Sequence, residues 1–375
     1  MVSVNNKKIL TIILIILFIG FVAERINTNK SDVYEEQNKS SIKKNKNLLS
    51  MNLEQTAGAG DYKTVTQSKW PTEGYEFNTE LSRCEKGSEL SWDDTKKTVI
   101  MQGNVSDKCY VYFDLIPSMT LAEYVISQYT GVQGENSIYY HNSSLENGAG
   151  DNSYRYAGAS DSVNNYICLG SDEATCPDAN LFRIIGVFGD QTKVIRAKSV
   201  GDQKWNTSKA NAWSSSSLNT YLNGEYLTNL GTLADKIATT TWKVGGGSST
   251  YLYDVPTTAY QYEVGSSAST TTYEAKIGLM YASDYGFAAS SSAWTTKLSS
   301  YSSNTSKNWL YLGSYEWTIS RYSGGTTGAF VVGGSGGVGS DAVTSSCAAR
   351  PSFNLESSVK YVSGSGTIEN PIRIN

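Results

Sequence analysis

Residues 181–198 read LFRIIGVFGDQTKVIRAK, and this stretch decides the fold of the larger part of the chain. Two apolar runs flank Gly189-Asp190, and a glycine-containing pair between such runs is typical of a β-hairpin. The roughly 200 residues that begin here are enough to bury a core of their own. The sequence therefore predicts a C-terminal α+β domain over residues 181–375, organised around this hairpin.

The segments after the hairpin alternate between helical and strand patterns. Residues 214–230, SSSSLNTYLNGEYLTNL, offer serine N-caps followed by apolar residues at mostly helical spacing. Asn223-Gly224 is expected to divide this segment into two short helices. Residues 235–244 (DKIATTTWKV) and 275–288 (AKIGLMYASDYGFA) are predicted as strands that enter or leave loops.

Strand and turn patterns dominate the end of the chain. GSYEWTISR (313–321) and GAFVV (328–332) are strands, and the glycine-rich turn GGSGG (333–337) returns the chain into VGSDAV. RPSFNL (350–355) and NPIRIN (370–375) are predicted to form a closing pair. Trp317 has apolar residues at alternate positions of its strand and is expected in the core. Arg350 is expected to be a buried guanidinium that donates hydrogen bonds to loop carbonyls.

Residues 117–180 are predicted to be a helix and loop lead-in to this domain. Thr120 and Glu123 form a capping box in TLAEYVISQYTG, and Gly131 supplies the stop of a short helix. Strands are expected at SYRYAG (153–158) and NYICLG (165–170). The acidic loop that follows matches no calcium-binding motif.

A small antiparallel β module is predicted over residues 63–116. Its segments are short and rich in β-branched and aromatic residues, and turn residues separate them. About 50 residues give little core, so a disulfide is expected to stabilise this module by roughly 3 kcal/mol. The predicted strands are YEFN, ELSRC, ELSW, KTVIM and CYVYFD.

The N-terminus carries Lys7-Lys8 before the uncharged run Ile9–Ala23. Residues 1–26 are predicted to be a cytoplasmic stub and a signal-anchor transmembrane helix, because the site for signal cleavage after Ala23 is poor. A cleaved signal peptide is the alternative reading. The positive-inside rule then places the chain from about residue 27 outside the cell, where residues 27–62 are expected to form a flexible polar stalk.

Four of the five cysteines fall into two close pairs, Cys84 with Cys109 and Cys168 with Cys176. Such pairing suits disulfides in an oxidising, extracellular compartment. Cys347 is left over and is expected to be a buried, unreactive thiol. With 31 basic against 35 acidic residues the chain carries a net charge of −4, which makes it a poor binder of nucleic acid.

Four stretches in the C-terminal part resemble, in order, an uncharacterised bacterial domain family found on exported and often membrane-anchored proteins. The resemblance covers residues 181–375 and implies a fold similar to C-type lectins and to the formylglycine-generating enzymes. This chain has Ala348-Ala349 where the family commonly has glycine and valine. The family supplies no catalytic residues to transfer. The matching stretches are SSLNTYLNGEYLTNL, AKIGLMYASDYGFA, EWTISR with GAFVVGGSGGV, and ARPSFNLESSVKYVSGSGTIENPIRI.

The residue types exclude several chemistries. His141 is the single histidine and is expected in an exposed loop. A catalytic triad would have to use it, and a zinc site would lack a second imidazole ligand. The glycine stretches 245–247 and 333–339 lack a following GK[ST] and are predicted as turns. The adjacent carboxylates Asp93-Asp94 and Asp172-Glu173 define no hydrolase pair. Formylglycine formation needs a thiol pair, and the domain offers only Cys347.

No catalytic, cofactor-binding or metal-binding residue is therefore predicted. The Tyr-, Ser-, Thr- and Gly-rich composition is the chemistry of many recognition surfaces. The leading hypothesis is a single-pass membrane protein whose extracellular part binds a glycan or a surface protein. A cell-envelope enzyme of the glycan-hydrolase type and a structural spacer without a ligand are the alternatives.

Overall fold

The computed structural model describes residues 49–66, 69–71, 74–104, 106–116 and 118–375. Within these ranges no helix is both long enough and apolar enough to cross a membrane. The predicted signal anchor and the stalk up to residue 48 lie outside the described residues. The described residues divide into two compact units, one that ends at Ser118 and one that covers Met119–Asn375.

The first unit is a small mixed β-sheet with strand order β2-β1-β7-β3, with β4 also paired to β7, beside the separate hairpin β5–β6. Its core is formed by Met51, Leu53, Phe77, Val111 and Phe113, against which the Trp92 ring packs. The strands are β1 (Leu49–Glu54), β2 (Tyr62–Val65), β3 (Tyr75–Phe77), β4 (Arg83–Cys84), β5 (Glu89–Asp93), β6 (Thr98–Gln102) and β7 (Cys109–Leu115).

Two predictions for this unit are wrong. Strand β1 lies in the predicted stalk, where LSMNLE alternates apolar and polar residues and so supplies one face to the core. It pairs in parallel with β7, with Leu49 opposite Cys109 and Leu53 opposite Phe113. The sheet is therefore mixed rather than antiparallel, because a strand distant in sequence completes it.

The second unit is an α+β fold with two main sheets. One has strand order β16-β21-β12-β11-β9-β8, with β10 also paired to β11, and the other has order β13-β20-β17-β18-β19. Pairs β14–β15 and β22–β23 lie beside them. The lead-in predicted over 117–180 belongs to this unit, since Leu121 and Val125 share its core with Phe353.

The helices and strands of the second unit are mostly short. Its helices are α1 (Leu121–Ser127), α2 (Ser217–Tyr221), α3 (Leu227–Asn229), α4 (Ser249–Leu252), α5 (Pro256–Glu263) and α6 (Ala282–Phe287). A π-helical turn covers Leu222–Tyr226, and 3₁₀ turns cover Glu135–Ser137, Trp213–Ser215, Gly231–Lys236, Ser291–Ala293 and Leu298–Lys307. Its strands are β8 (Ile138–Tyr140), β9 (Tyr154–Tyr156), β10 (Tyr166–Cys168), β11 (Leu181–Phe188), β12 (Gln191–Arg196), β13 (Asp202–Lys204), β14 (Thr240–Lys243), β15 (Thr272–Ala275), β16 (Ile277–Gly278), β17 (Glu316–Arg321), β18 (Gly328–Val332), β19 (Val338–Ala342), β20 (Ser346–Ala348), β21 (Ser352–Leu355), β22 (Tyr361–Ser363) and β23 (Arg373–Ile374).

The predicted hairpin is present as β11 and β12, which lie in the middle of the larger sheet. Gly189 turns the chain with a φ of 65°, a conformation that favours glycine. The register between β11 and β12 shifts between Ile184 and Gly186, at the point where β9 pairs with the other side of β11. A side chain at Gly186 would collide with the carbonyl of Tyr154, so glycine is required for β9 to pair there.

Other local predictions are confirmed. The capping box of Thr120 and Glu123 begins helix α1, and the strands predicted near Tyr154 and Tyr166 are present. Strands β17, β18 and β19 form with the glycine turn between the last two. Trp317 is fully buried, and its indole N–H donates to the Gln203 carbonyl at 2.8 Å, as a buried indole requires.

Three predictions for the second unit are wrong. The segment 275–288 is a strand only at its start, because Tyr281 and Asp284 form a capping box that begins helix α6. Asn223-Gly224 does not break the helix but lies inside the π-helical turn. RPSFNL does not pair with NPIRIN, since β21 pairs with β12 and β16 while β23 pairs with β22.

Candidate functional site

The structure contains the two expected disulfides, Cys84–Cys109 and Cys168–Cys176. The first joins directly opposed residues of β4 and β7. Asp107 lies close to both of its sulfurs, but those sulfurs are bonded to each other and are not thiolate ligands. The Asp107 carboxylate instead accepts hydrogen bonds from the backbone N–H groups of Lys86 and Ser88, at 2.8 and 3.0 Å.

The second disulfide closes the loop 168–176 beside a surface depression of about 550 Å³. We call this the loop depression; it is lined by 168, 170–174, 232–233, 236, 362–363, 369–371 and 373–375. Arg373 donates to the carbonyls of Ser171 and Glu173 at 2.7 and 2.6 Å. The loop is thus fixed both by its disulfide and by the last strand, which gives the depression a pre-organised rim.

A second depression of about 570 Å³, which we call the tyrosine depression, adjoins the first through the shared residues Gly170 and Leu233. It is lined by 169–170, 179–180, 182, 196, 199–200, 221, 226, 229–230 and 233. Arg196 donates to the carbonyls of Lys198 and Ser199 at 3.2 and 2.8 Å and so holds one edge. The two depressions adjoin in the second unit, and we refer to them together as the groove.

Tyr226 forms part of the groove wall with Tyr221, whose ring centroid lies 6.4 Å from its own. The Tyr226 side chain is 9% exposed, and its hydroxyl has no hydrogen-bond partner among the described residues. A buried hydroxyl without a partner costs about 1–3 kcal/mol. The hydroxyl oxygen itself is shielded from solvent, so other atoms of Tyr226 line the tyrosine depression and the hydroxyl does not face a ligand there.

The strongly buried charges of this unit lie away from the groove. Arg350 and Glu316 form one pair, and the Arg350 guanidinium also donates to the Leu310 carbonyl at 2.5 Å, so its expected role in fixing a loop is confirmed. Arg183 donates to Asn165 at 2.6 Å and to the Val163 carbonyl at 3.0 Å. Burial lowers the pKa of Arg183 to about 10.

A further buried cluster joins Lys193, Asp284, Arg155 and Asp151 through successive ion pairs. Burial would raise the pKa of Asp151, but Arg155 and Ser153 hold it at about 2. Glu263 accepts the backbone N–H groups that begin helix α6, and burial raises its pKa. None of these side chains lines the groove, so they stabilise the fold rather than face a ligand there.

The prediction that His141 is exposed is wrong. The side chain is fully buried, 4.9 Å from the Phe287 ring and 5.1 Å from the Trp294 ring between centroids. Its Nδ1 accepts the Ala149 N–H at 3.0 Å, so the neutral ring carries its proton on Nε2. Burial and then the Arg155 charge lower its pKa well below the usual value, which suits a structural rather than a catalytic histidine.

The remaining sequence candidates belong to separate elements. Asp93 and Asp94 are in the turn of the β5–β6 hairpin, in the first unit, where Asp93 accepts N–H groups of that turn. Asp172 and Glu173 are exposed on the loop depression. Cys347 is a buried free thiol on β20, as expected. Residues 333–337 form the turn between β18 and β19.

The groove was not anticipated, because four segments far apart in sequence build it. The helical pattern of residues 214–230 and the terminal NPIRIN were recognised as elements, but nothing local indicates that they meet the disulfide loop. The described residues form an α+β, disulfide-containing fold with an open surface groove. Comparison with models of protein families, with curated proteins and with solved structures finds no match.

Proposed function

We propose that the chain is an extracellular binding protein, held at the membrane by residues 9–23, whose groove binds a glycan. The observation that carries this proposal is the groove itself, whose lining brings an aromatic ring together with polar side chains. The tyrosine depression offers the Tyr221 ring and the amide of Asn229, and the loop depression offers Asp172 and Glu173. Rings pack against the C–H faces of sugars, while amides and carboxylates pair with their hydroxyls.

Two further features support a binding role. The rim is fixed in advance by the Cys168–Cys176 disulfide and by Arg373, which lowers the entropy that a ligand must overcome. Disulfides persist in oxidising compartments, in accord with placement outside the cell. A fold like that of C-type lectins, implied by the motif resemblance, is part of the same proposal.

A glycan array probed with residues 27–375 tests this function. We expect the protein to bind one defined class of glycan on the array. Titration calorimetry with the corresponding free sugar should then show binding in solution. Loss of the retained glycan with release of shorter sugars would favour the envelope-enzyme alternative. A folded protein that retains no glycan but captures a surface protein, or captures nothing, would contradict the proposal.

The proposed placement is tested separately by protease treatment of intact cells. The expected result is that an externally added protease removes the Met119–Asn375 unit while a cytoplasmic marker protein stays intact. Protection of this unit until the cells are lysed would contradict placement outside the membrane.

A further inference from the structure

Lys193 and Asp284 face each other inside the second unit. Lys193 lies on the central strand β12, and Asp284 lies on helix α6, 91 residues later. The Lys193 Nζ is 2.5 Å from Oδ2 of Asp284, and their side chains are 6% and 3% exposed. An amine and a carboxyl group are thus held in contact where water does not reach.

The surroundings of Lys193 are aromatic. Its Nζ lies 4.7 Å from the centroid of the Tyr281 ring, 5.5 Å from that of Trp242 and 5.6 Å from that of Phe188. Among the described residues Asp284 is the one acceptor of a hydrogen bond from this Nζ. Burial lowers the pKa of Lys193, although Asp284 opposes the shift. The site therefore favours the neutral, nucleophilic amine more than water does.

The carboxyl group of Asp284 is also held by a backbone hydrogen bond and by a second ion pair. The Tyr281 N–H donates to Oδ2 at 2.9 Å, and Nη1 of Arg155 lies 3.5 Å from Oδ1. These donors fix the carboxyl carbon in front of the amine. They are also placed to stabilise the negative oxygen that forms when a nucleophile adds to that carbon.

We propose that Lys193 and Asp284 become joined by an amide bond between Nζ and Cγ. A proton passes from the ammonium to the carboxylate, the amine adds to Cγ, and one carboxyl oxygen leaves with two protons as water. One N–C bond forms and one C–O bond breaks, so the step needs no oxidant, cofactor or second protein. Proximity and the exclusion of water favour this condensation.

The bond would connect β12 covalently to α6. Neither disulfide makes such a connection, because Cys84–Cys109 lies in the first unit and Cys168–Cys176 closes only a short loop. The cross-link does not depend on which ligand the groove binds.

The mass of the intact protein tests the proposal directly. The expected mass is lower, by one water molecule, than that of the disulfide-bonded chain. After reduction and proteolysis, tandem mass spectrometry should find the peptides of Lys193 and Asp284 joined. A full mass with both peptides separate, in fresh and in stored protein, would overturn the proposal. So would a lost water that maps to Asp284 alone, as in a succinimide.

The chain supplies a matched internal control. Lys198 and Asp178 are also 2.5 Å apart, but their side chains are 64% and 66% exposed, so water surrounds both groups and no cross-link is expected there. Lys193→Arg should restore the full mass, whereas Lys198→Arg should keep the loss of one water. Because the wild-type peptides are read directly, failure of Lys193→Arg to fold leaves the test intact.

Discussion

Glu316 and Arg350 form a two-pronged ion pair in the core of the second unit. Nε donates to Oε1 at 2.6 Å and Nη2 donates to Oε2 at 2.8 Å, and both side chains are almost fully buried. Glu316 begins strand β17, and Arg350 follows β20, whose residue Ala348 lies opposite Glu316. The pair therefore joins the start of the central strand β17 to the loop that carries Leu310.

Glu316→Gln is expected to destabilise the protein strongly, because it leaves the Arg350 charge buried without a counter-charge. Breaking one partner of such a pair costs about 3–5 kcal/mol in the free energy of unfolding, measured by urea denaturation. Asp178→Asn is the control, since its exposed pair with Lys198 contributes about 0–1 kcal/mol. Equal, small losses for both variants would contradict the burial argument.

The buried His141 is expected to make the stability of the protein depend on pH. No other imidazole contributes to this dependence, because His141 is the single histidine. Its folded pKa is depressed by burial, so below the unfolded value of about 6.5 the unfolded chain binds the extra proton. Stability should therefore fall as the pH drops from about 7 to 5, by up to about 1.4 kcal/mol per pH unit. His141→Asn, which keeps an acceptor for the Ala149 N–H, should remove this slope. Parallel pH profiles for the two proteins would show that the ring titrates normally.

Tyr226→Phe is expected to raise stability without changing binding. Removing a buried hydroxyl that has no partner should raise the free energy of unfolding by about 1 kcal/mol. Binding of the retained glycan should stay the same, because the hydroxyl is shielded from the groove. Tyr315→Phe is the control for stability, because this tyrosine is 58% exposed and does not line the groove. A lower affinity of Tyr226→Phe for the glycan would show that the hydroxyl reaches the ligand.

Cys347 should resist alkylation in the folded protein. The side chain is 3% exposed, and burial, with Asp341 and Asp202 adding to it, raises the pKa of its thiol to about 11. At pH 8 only about one thiolate in a thousand is present, so labelling by iodoacetamide should be slow. Denaturation without reduction should expose one reactive thiol per chain. Rapid labelling of the native protein would contradict this placement.

Local patterns predicted the elements whose signals are complete within a few residues. The β11–β12 hairpin needs only its two apolar runs and Gly189, and helix α1 needs only Thr120 and Glu123 at its start. Both disulfide pairs were also correct, since nearby cysteines leave few alternatives.

Long-range packing accounts for the failures. From sequence alone the alternating LSMNLE stretch resembles the rest of the stalk, because its partner, β7, begins at Cys109, far along the chain. His141 lies in a polar segment, YYHNSS, and is buried by Phe287 and Trp294, which the sequence places more than 140 positions later. The groove likewise depends on Arg373 meeting a loop about 200 residues before it.

The π-helical turn at Leu222–Tyr226 makes the length of this helix matter as much as its composition. In an ordinary α-helix, side chains five positions apart point about 140° away from each other. The wider turn accommodates an extra residue, so that Tyr221 and Tyr226 stand on the same wall. A single-residue deletion at Gly224, which does not line the groove, would restore the usual pitch and leave the two tyrosines four positions apart, about 40° from each other around an α-helix. The wall needs the wider turn because five positions separate its two rings. An ordinary helix that kept every residue would part the rings, whereas a helix one residue shorter would keep them on the same side.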